Sequence, residues 1–408
     1  VNDWLQRAAR WRPDRVALTG AGAEVTYAQL HEAARSRAPR LAGAPAQRVP
    51  LEIEDRLEFA IALHACLIAG VAAVPIDTRL GAEERAARRV SGLATSRPAV
   101  ATVMHTSGTT AAPKPVELTH ANWRANALGS AVMLGLDPDE RWLCAMPLAH
   151  VGGLSILLRS TLYATTVVLH ERFDVAAVLE ELMDPARRIT IVSLVPTMLA
   201  RLLDAGLSHP PALRWALLGG GPIPAALLAR AGAAGVPVAP TYGMTEACSQ
   251  IATFGLPLPG VEVELSPEAE ILVRGPVVAP GSVSGDGWLH TGDLGRFDER
   301  ERLVIVGRSS ETIVSGGENV APAEVEAVLL EHPAVADAGV YGREDPEWGE
   351  AVVARIVLRD GVAAPAGELR EFCAGRLARF KVPKAFEFAE ALPRTPSGKL
   401  LRRELVAG

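Results

Sequence analysis

Between Met104 and Val116 the chain reads M-H-T-S-G-T-T-A-A-P-K-P-V, with four hydroxyl side chains, one glycine and a single lysine in one short loop. Thr106, Ser107, Thr109 and Thr110 surround Gly108 and offer side-chain donors beside backbone N–H groups that a residue without Cβ leaves open to approach. Such a donor set suits the oxygens of a polyphosphate. Gly108 and Lys114 have the separation of a Walker A loop, G-x-x-x-x-G-K-[ST], but the chemistry at its end differs. Pro113 occupies the second glycine position and Pro115 follows the lysine. A regular helix cannot run through Lys114, and no Ser or Thr stands beside it to bind Mg²⁺. Two readings follow: a phosphate loop of another type, or a hydroxyl-rich surface turn.

The rest of the chain narrows the choice. Its 408 residues exceed one ordinary core, so more than one domain is expected. With 49% hydrophobic and 22% charged residues, the composition is that of a soluble globular protein. A net charge of -6 argues against non-specific nucleic-acid binding. Cys66, Cys144, Cys248 and Cys373 lack C-x-x-C spacing, which disfavours a zinc site or disulfide framework and fits a reducing cytoplasm. Trp4, Leu5, Ala8 and Trp11 fall at helical spacing among charges, without a signal-peptide pattern. Phe59–Ile76 is the one long apolar run, and His64, Gly70 and Pro75 interrupt it. It predicts a buried helix followed by a short strand ending at Asp77, with no integral membrane segment. Arginine supplies nearly all positive charge. The four lysines, Lys114, Lys381, Lys384 and Lys399, are therefore candidates for sites that need a compact ammonium.

Alternating helices and short apolar strands predict an α/β fold with a largely parallel sheet covered by helices. Helices are expected at Tyr27–Leu41, Glu83–Val90, Asn122–Leu134 and Leu154–Leu162. Strands are expected at Trp142–Met146, Thr165–His170, Ile189–Leu194, Trp215–Leu218 and Val236–Pro240. From Ile271 the texture changes to short strands and Gly/Asp turns, a β-rich subdomain. A strand over Leu303–Val306 leads to a boundary at Gly307-Arg308. The expected division is a large domain, 1–307, and a small mobile α+β domain, 308–408. In the latter, Pro322–Leu330 and Gly367–Arg379 predict helices, and Ala338–Tyr341 and Val352–Leu358 predict strands.

The loop at 104–116 resembles the phosphate loop of the adenylate-forming superfamily, which contains acyl- and aryl-CoA synthetases, luciferases and adenylation domains. Ala111 and Pro115 stand where those proteins usually have glycine. Six further stretches match in order. Leu218-Gly219-Gly220-Gly221-Pro222 resembles the glycine turn on which adenine lies. Thr241-Tyr242-Gly243-Met244-Thr245-Glu246 resembles Y-G-x-T-E. There the resemblance implies that Tyr242 stacks on adenine, Thr245 meets the α-phosphate and Glu246 helps hold Mg²⁺ as a hard oxygen ligand. Thr291-Gly292-Asp293 matches T-G-D, whose carboxylate accepts from the ribose hydroxyls, and Arg308 matches the arginine that also reaches the ribose. Ser310 stands at the hinge position, usually Asp or Lys. Ser315-Gly316-Gly317-Glu318-Asn319, expected to open the main helix of the small domain, resembles the segment lining the pantetheine tunnel of CoA. Pro393-Arg394-Thr395-Pro396-Ser397-Gly398-Lys399 matches the terminal motif with its catalytic lysine.

The resemblance implies an ATP-dependent, AMP-forming ligase. A carboxylate is a poor acyl donor because its leaving group would be oxide, so AMP is attached first and CoA thiolate then displaces it. Met146–Tyr163, M-P-L-A-H-V-G-G-L-S-I-L-L-R-S-T-L-Y, bears on the acid. No aspartate lies near His150 in the chain to pair with an amino group, which disfavours an amino acid. Arg159, inside an apolar helical stretch, either finds a structural partner or awaits an anion. Taken together, M-P-L-x-H-x-G-G-L-S, L-G-G-G-P-x-P, Y-G-M-T-E-x-C-S-Q-I and L-P-R-x-x-S-G-K-L-L-R resemble the ligases for 2-succinylbenzoate, an aromatic dicarboxylic acid of menaquinone biosynthesis. This implies that Arg159 meets a carboxylate and that His150, Ser193 and Thr197 border the acid. The chain is shorter than most such proteins before the phosphate loop and between Gln250 and Asp293, which would loosen specificity or deepen dependence on a homodimer. Two alternatives stay open: a synthetase for another carboxylic acid, and a nucleotide-binding homologue without activity.

Overall fold

A computed structural model describes residues 4–41, 48–92, 100–106, 114–394 and 400–407. A nine-stranded sheet dominates it. Five neighbouring strands, Val238–Met244, Trp215–Leu218, Ile191–Leu194, Arg141–Cys144 and Thr166–Leu169, run parallel, joined by helical crossovers. Ile191–Leu194 and Thr166–Leu169 are buried along their whole length, which accounts for their largely apolar sequences. Antiparallel hairpins close both edges, Ser249–Thr253 with Leu256–Pro257 on one side and Val16–Gly20 with Ala23–Thr26 on the other.

A second, four-stranded sheet orders Arg48–Leu51, Ala72–Pro75 and Val100–Thr106 in parallel and ends on an antiparallel strand, Lys114–Thr119. A third is wholly antiparallel, from Glu262–Leu265 through Glu270–Arg274 and Leu289–Phe297 to Leu303–Arg308. A fourth, of five strands, combines Glu318–Val320, Ile313–Ser315, Gly349–Leu358 and Val335–Asp345 with Ala385–Phe388. It carries the helices Pro322–Leu329 and Ala366–Ala374. The parallel-rich α/β architecture with β-rich parts is the one expected.

Local chemistry explains most boundaries. Thr26 and Thr119 each cap a helix through a reciprocal capping box, with Gln29 and Asn122 as the third residues. The first of these helices stops at Arg37, before the expected Leu41, because Pro39 draws the chain into a 3₁₀ turn at Ala38–Arg40. Asp55 caps the predicted buried helix, Arg56–Ala69, and Gly70 ends it at φ 72°. Among the described residues no helix is long and apolar enough to cross a membrane.

Two expectations need correction. Ser315–Asn319 does not open a helix: Gly316 and Gly317, at φ 62° and 84°, form the two-residue turn of a hairpin between Ile313–Ser315 and Glu318–Val320. Two successive left-handed residues are what a tight hairpin turn demands, and the helix begins only at Pro322. The Gly367–Arg379 helix likewise ends at Ala374, and a 3₁₀ turn at Arg379–Lys381 follows.

Candidate active site

The functional elements gather at the carboxyl ends of the parallel strands, where open α/β sheets carry their ligand sites. Val100–Thr106 and Lys114–Thr119 form an antiparallel pair, with Thr106 opposite Lys114 at its mouth. The expected phosphate loop thus joins two strands that pair antiparallel. Thr106 and Lys114 stand at its base, whereas Ser107, Gly108, Thr109 and Thr110 lie outside the described residues. The 3₁₀ turn Thr245–Ala247 packs against both of these strands, so Thr245 and Glu246 stand beside the loop's base.

Backbone closeness holds the neighbouring motif residues. A Cβ on Gly243 would lie 1.7 Å from the Ser249 carbonyl oxygen, because the Val238–Met244 strand folds back tightly on Ser249–Thr253. A Cβ on Gly219 would meet Thr241 Cγ2 at 2.7 Å. Glycine lets the strand end at Leu218 draw up to the next strand, so Gly219, Gly220, Gly221 and Pro222 turn beside Thr241-Tyr242. Met244 precedes the 3₁₀ turn in extended conformation.

The third sheet contributes a compact polar cluster. Asp293, 6% exposed, accepts from the Tyr242 hydroxyl at 2.8 Å and pairs with Arg308 Nε at 2.9 Å. The latter contact is dictated by register, since Asp293 and Arg308 are cross-strand partners. Burial and the neighbouring carboxylate push the Tyr242 phenol up, so it keeps its proton and donates. Three residues from motifs 15 or more positions apart thus meet at one carboxylate.

Arg159 occupies a different environment. Only 1% exposed on the Val151–Tyr163 helix, it reaches Asn126 Oδ1 at 2.5 Å and Ser249 Oγ at 3.5 Å, and lies 5.7 Å from the Trp142 ring centre. Among the described residues its Nε has no partner and no carboxylate pairs with it. Burial lowers its pKa, yet a guanidinium stays charged near neutrality. Ser193, on a neighbouring strand, accepts from Trp142 Nε1 at 3.0 Å, and Thr197 opens the following helix. Asn126 was not anticipated. Its signal was available: Asn122 and Asn126 lie four apart on an otherwise largely apolar helix, a spacing that aims two amides at one side. Asn122 donates to the Pro276 and Val278 carbonyls, and Asn126 donates to that of Gln250.

His150 is the residue before the Val151–Tyr163 helix and makes no capping bond, which leaves its imidazole directed elsewhere. Its Nε2 lies 3.8 Å from Asp77 Oδ2, and Asp77 is clamped by Arg79 Nε at 2.8 Å and Nη2 at 2.6 Å. Although no aspartate neighbours His150 in the chain, folding brings one to it. Burial nevertheless lowers the His150 pKa, favouring the neutral ring.

Ser310 lies in an exposed 3₁₀ turn, Ser309–Glu311, between the third and fourth sheets. Gly316 packs under Trp348 and donates to its carbonyl at 2.8 Å, and the Ser315 side chain is buried. Lys399 lies outside the described residues, but both flanks are anchored. Arg394 pairs with Asp337 at 2.7 Å and bridges to Leu400, while Arg402 binds Glu311 and Glu326.

Comparison with known proteins adds an independent result. The AMP-binding enzyme family model matches residues 5–90 and 91–282, and the AMP-binding enzyme C-terminal domain model matches 324–399. The 2-succinylbenzoate–CoA ligase of Bacillus licheniformis is 39% identical, with 99% of each chain covered. That alignment runs over 476 positions, more than the 408 residues here, so this chain omits stretches the relative has. Among solved structures, o-succinylbenzoate CoA synthetase of Bacillus subtilis in complex with the acyl-adenylate intermediate OSB-AMP superposes with a TM-score of 0.90 at 38% identity. The alignment covers 99% of this chain and 97% of that one. The complex of the same protein with ATP and magnesium ion gives 0.89 at 37% identity, covering 99% of both.

Proposed function

We propose that this chain, which belongs to the AMP-binding enzyme family, is an AMP-forming acid–thiol ligase. It converts 2-succinylbenzoate to 2-succinylbenzoyl-CoA through an acyl-adenylate in menaquinone biosynthesis. The observation that carries the substrate assignment is Arg159, a fully buried cation with an idle Nε and no carboxylate among the described residues. An uncompensated buried charge costs several kcal/mol, roughly, and a second carboxylate on the substrate would relieve it.

ATP binds with its ribose hydroxyls toward Asp293 and Arg308, its adenine on Tyr242 and the Gly219–Pro222 turn, and its phosphates at the Thr106–Lys114 hairpin. The residues suit this ligand. The glycines keep backbone open, and Asp293 already accepts donors of the kind two hydroxyls would supply. Among the described residues no cluster of His, Cys, Asp and Glu could hold a metal by itself. Glu246 with nucleotide oxygens therefore makes a donor set appropriate to magnesium, which favours few carboxylates plus phosphates. When bound, that ion neutralises charge on the phosphates. His150, Ser193 and Thr197 border the acid, and Arg159 orients it with one carboxylate toward the α-phosphate, which Thr245 contacts.

Lys399 stabilises charge that develops on the α-phosphate as pyrophosphate leaves, and loss of one such stabiliser costs about 10²–10³ in rate. CoA thiolate then attacks the mixed anhydride, its pantetheine arm running past Ser315, Gly316 and Gly317. Two half-reactions with different walls call for movement. We read residues 308–408 as a small domain pivoting at Ser310 against 1–307, in a cytoplasmic homodimer. Sedimentation tests the dimer. ATP–pyrophosphate exchange across a panel of acids tests the substrate: exchange is expected with 2-succinylbenzoate far above benzoate or fatty acids. Preference for another acid would reassign the substrate, and tight AMP binding without exchange would mark an inactive homologue.

A further inference from the structure

We propose that Arg56 is a positioning residue for the acid-facing loop, acting through His150; this rests on the reading of His150 as part of the acid site. Arg56 begins the helix that crosses between two strands of the four-stranded sheet, yet its side chain leaves that sheet and enters the nine-stranded one. It is 6% exposed and finds carbonyls rather than carboxylates among the described residues. Nη1 donates to Cys144 O at 3.1 Å and to His170 O, while Nη2 donates to Met146 O and lies 3.4 Å from Cys144 Sγ.

Those acceptors are the carboxyl ends of two adjacent parallel strands and the first residue of Met146–His150. That loop leaves the sheet, and Pro147 within it has no N–H to donate. The same stretch is wedged against Gly153, where a Cβ would stand 2.3 Å from Pro147 O and 3.0 Å from Met146 O. Arg56 and Gly153 both close on the Met146-Pro147 peptide, and the His150 N–H closes the turn on Pro147 O at 3.2 Å. The imidazole thereby reaches the Asp77–Arg79 pair, which comes from the same small sheet region as Arg56.

A planar guanidinium donates to divergent carbonyls simultaneously, whereas an ammonium or amide reaches fewer in that fork. A merely structural tie would lower stability and affect all substrates alike. Positioning through His150 makes a narrower prediction.

The test uses the full chain, with ATP–pyrophosphate exchange and the imidazole resonances of ¹⁵N-histidine-labelled protein as separate readouts. Arg56→Lys is expected to raise KM for the aromatic acid at least about threefold, the lower range of coupling between contacting groups. It should leave KM for ATP and kcat within about twofold, and shift the His150 resonances without ligand. Added to His150→Ala, it should raise KM no further. Equal effects in both backgrounds, or unmoved His150 resonances, would overturn the proposal. Arg56→Gln serves as the second variant; loss of folding in both would assign Arg56 to the core alone and overturn it too. If the wild type exchanges with no acid, the ligase reading fails, while the resonance measurement still decides the role of Arg56.

Discussion

Asp293 and Arg159 are both almost wholly buried ionised groups, and the fold treats them in opposite ways. Asp293 is met by the Tyr242 hydroxyl and the Arg308 guanidinium, so its charge is balanced before any ligand arrives. Among the described residues Arg159 meets an amide oxygen, a serine hydroxyl and an indole face, and no carboxylate. A satisfied carboxylate is a fixed acceptor that invites neutral donors, such as sugar hydroxyls. An unbalanced guanidinium favours an anion. The contrast separates a nucleotide end, prepared in advance, from an acid end whose electrostatics the substrate completes.

The largest expected effect concerns the charge that must come from outside both regions. Lys399→Ala should slow adenylation about 10²–10³-fold while a supplied acyl-adenylate still forms thioester, as single-turnover assays of each half-reaction can show. Equal loss in both would break the division of labour. Next, Asp293→Ala removes the common partner of Tyr242 and Arg308. Because Arg308 keeps contact with water, the loss of stability should fall near or below the roughly 3 kcal/mol typical of breaking a buried pair. Calorimetric ATP binding should weaken at least tenfold. Unchanged ATP affinity would show that the Asp293 cluster is architecture alone.

A third buried group sharpens the point that Arg159 cannot escape its charge. His64, 2% exposed with its Nε2 3.2 Å from the Thr161 hydroxyl, is pushed down to about 4 by burial and is neutral at pH 7. Its folded pKa lies below the ordinary value of 6.5, so the unfolded chain binds the extra proton. Stability is then full above about pH 6.5 and falls as pH drops through the window down to 4. The wild type should lose about 2 kcal/mol between pH 7 and 5 from this group, and His64→Gln should lose correspondingly less in urea titrations.

Much of this arrangement was legible in the sequence because motif residues sit where backbone geometry leaves little freedom. Gly243 and Gly219 are required by chain crossings, and Asp293 and Arg308 by register. Thr26, Asp55 and Thr119 cap their helices in the structure, a signal that the apolar periodicity alone did not use. What the pattern hid was long-range or ambiguous locally. Asn126, Asp77 and Arg56 reach their partners across 33, 73 and 90 positions of chain, and nothing local to each names the other end. Arg56 in particular opens a helix after a capping aspartate, where a charged side chain ordinarily faces water. Gly316-Gly317 was misread because paired glycines suit a helix entrance and a hairpin turn equally, and the strand pairing of Ile313–Ser315 with Glu318–Val320 decides between them.

The most direct measurement is the KM for 2-succinylbenzoate and for benzoate in ATP–pyrophosphate exchange, in the wild type and in Arg159→Met. The unbalanced guanidinium predicts a KM for the dicarboxylic acid raised by roughly tenfold, about 1.4 kcal/mol, with benzoate nearly unaffected and the ligand-free protein no less stable. Equal KM increases for the two acids, or a variant that melts far below the wild type, would show that Arg159 holds the core together and would contradict the account.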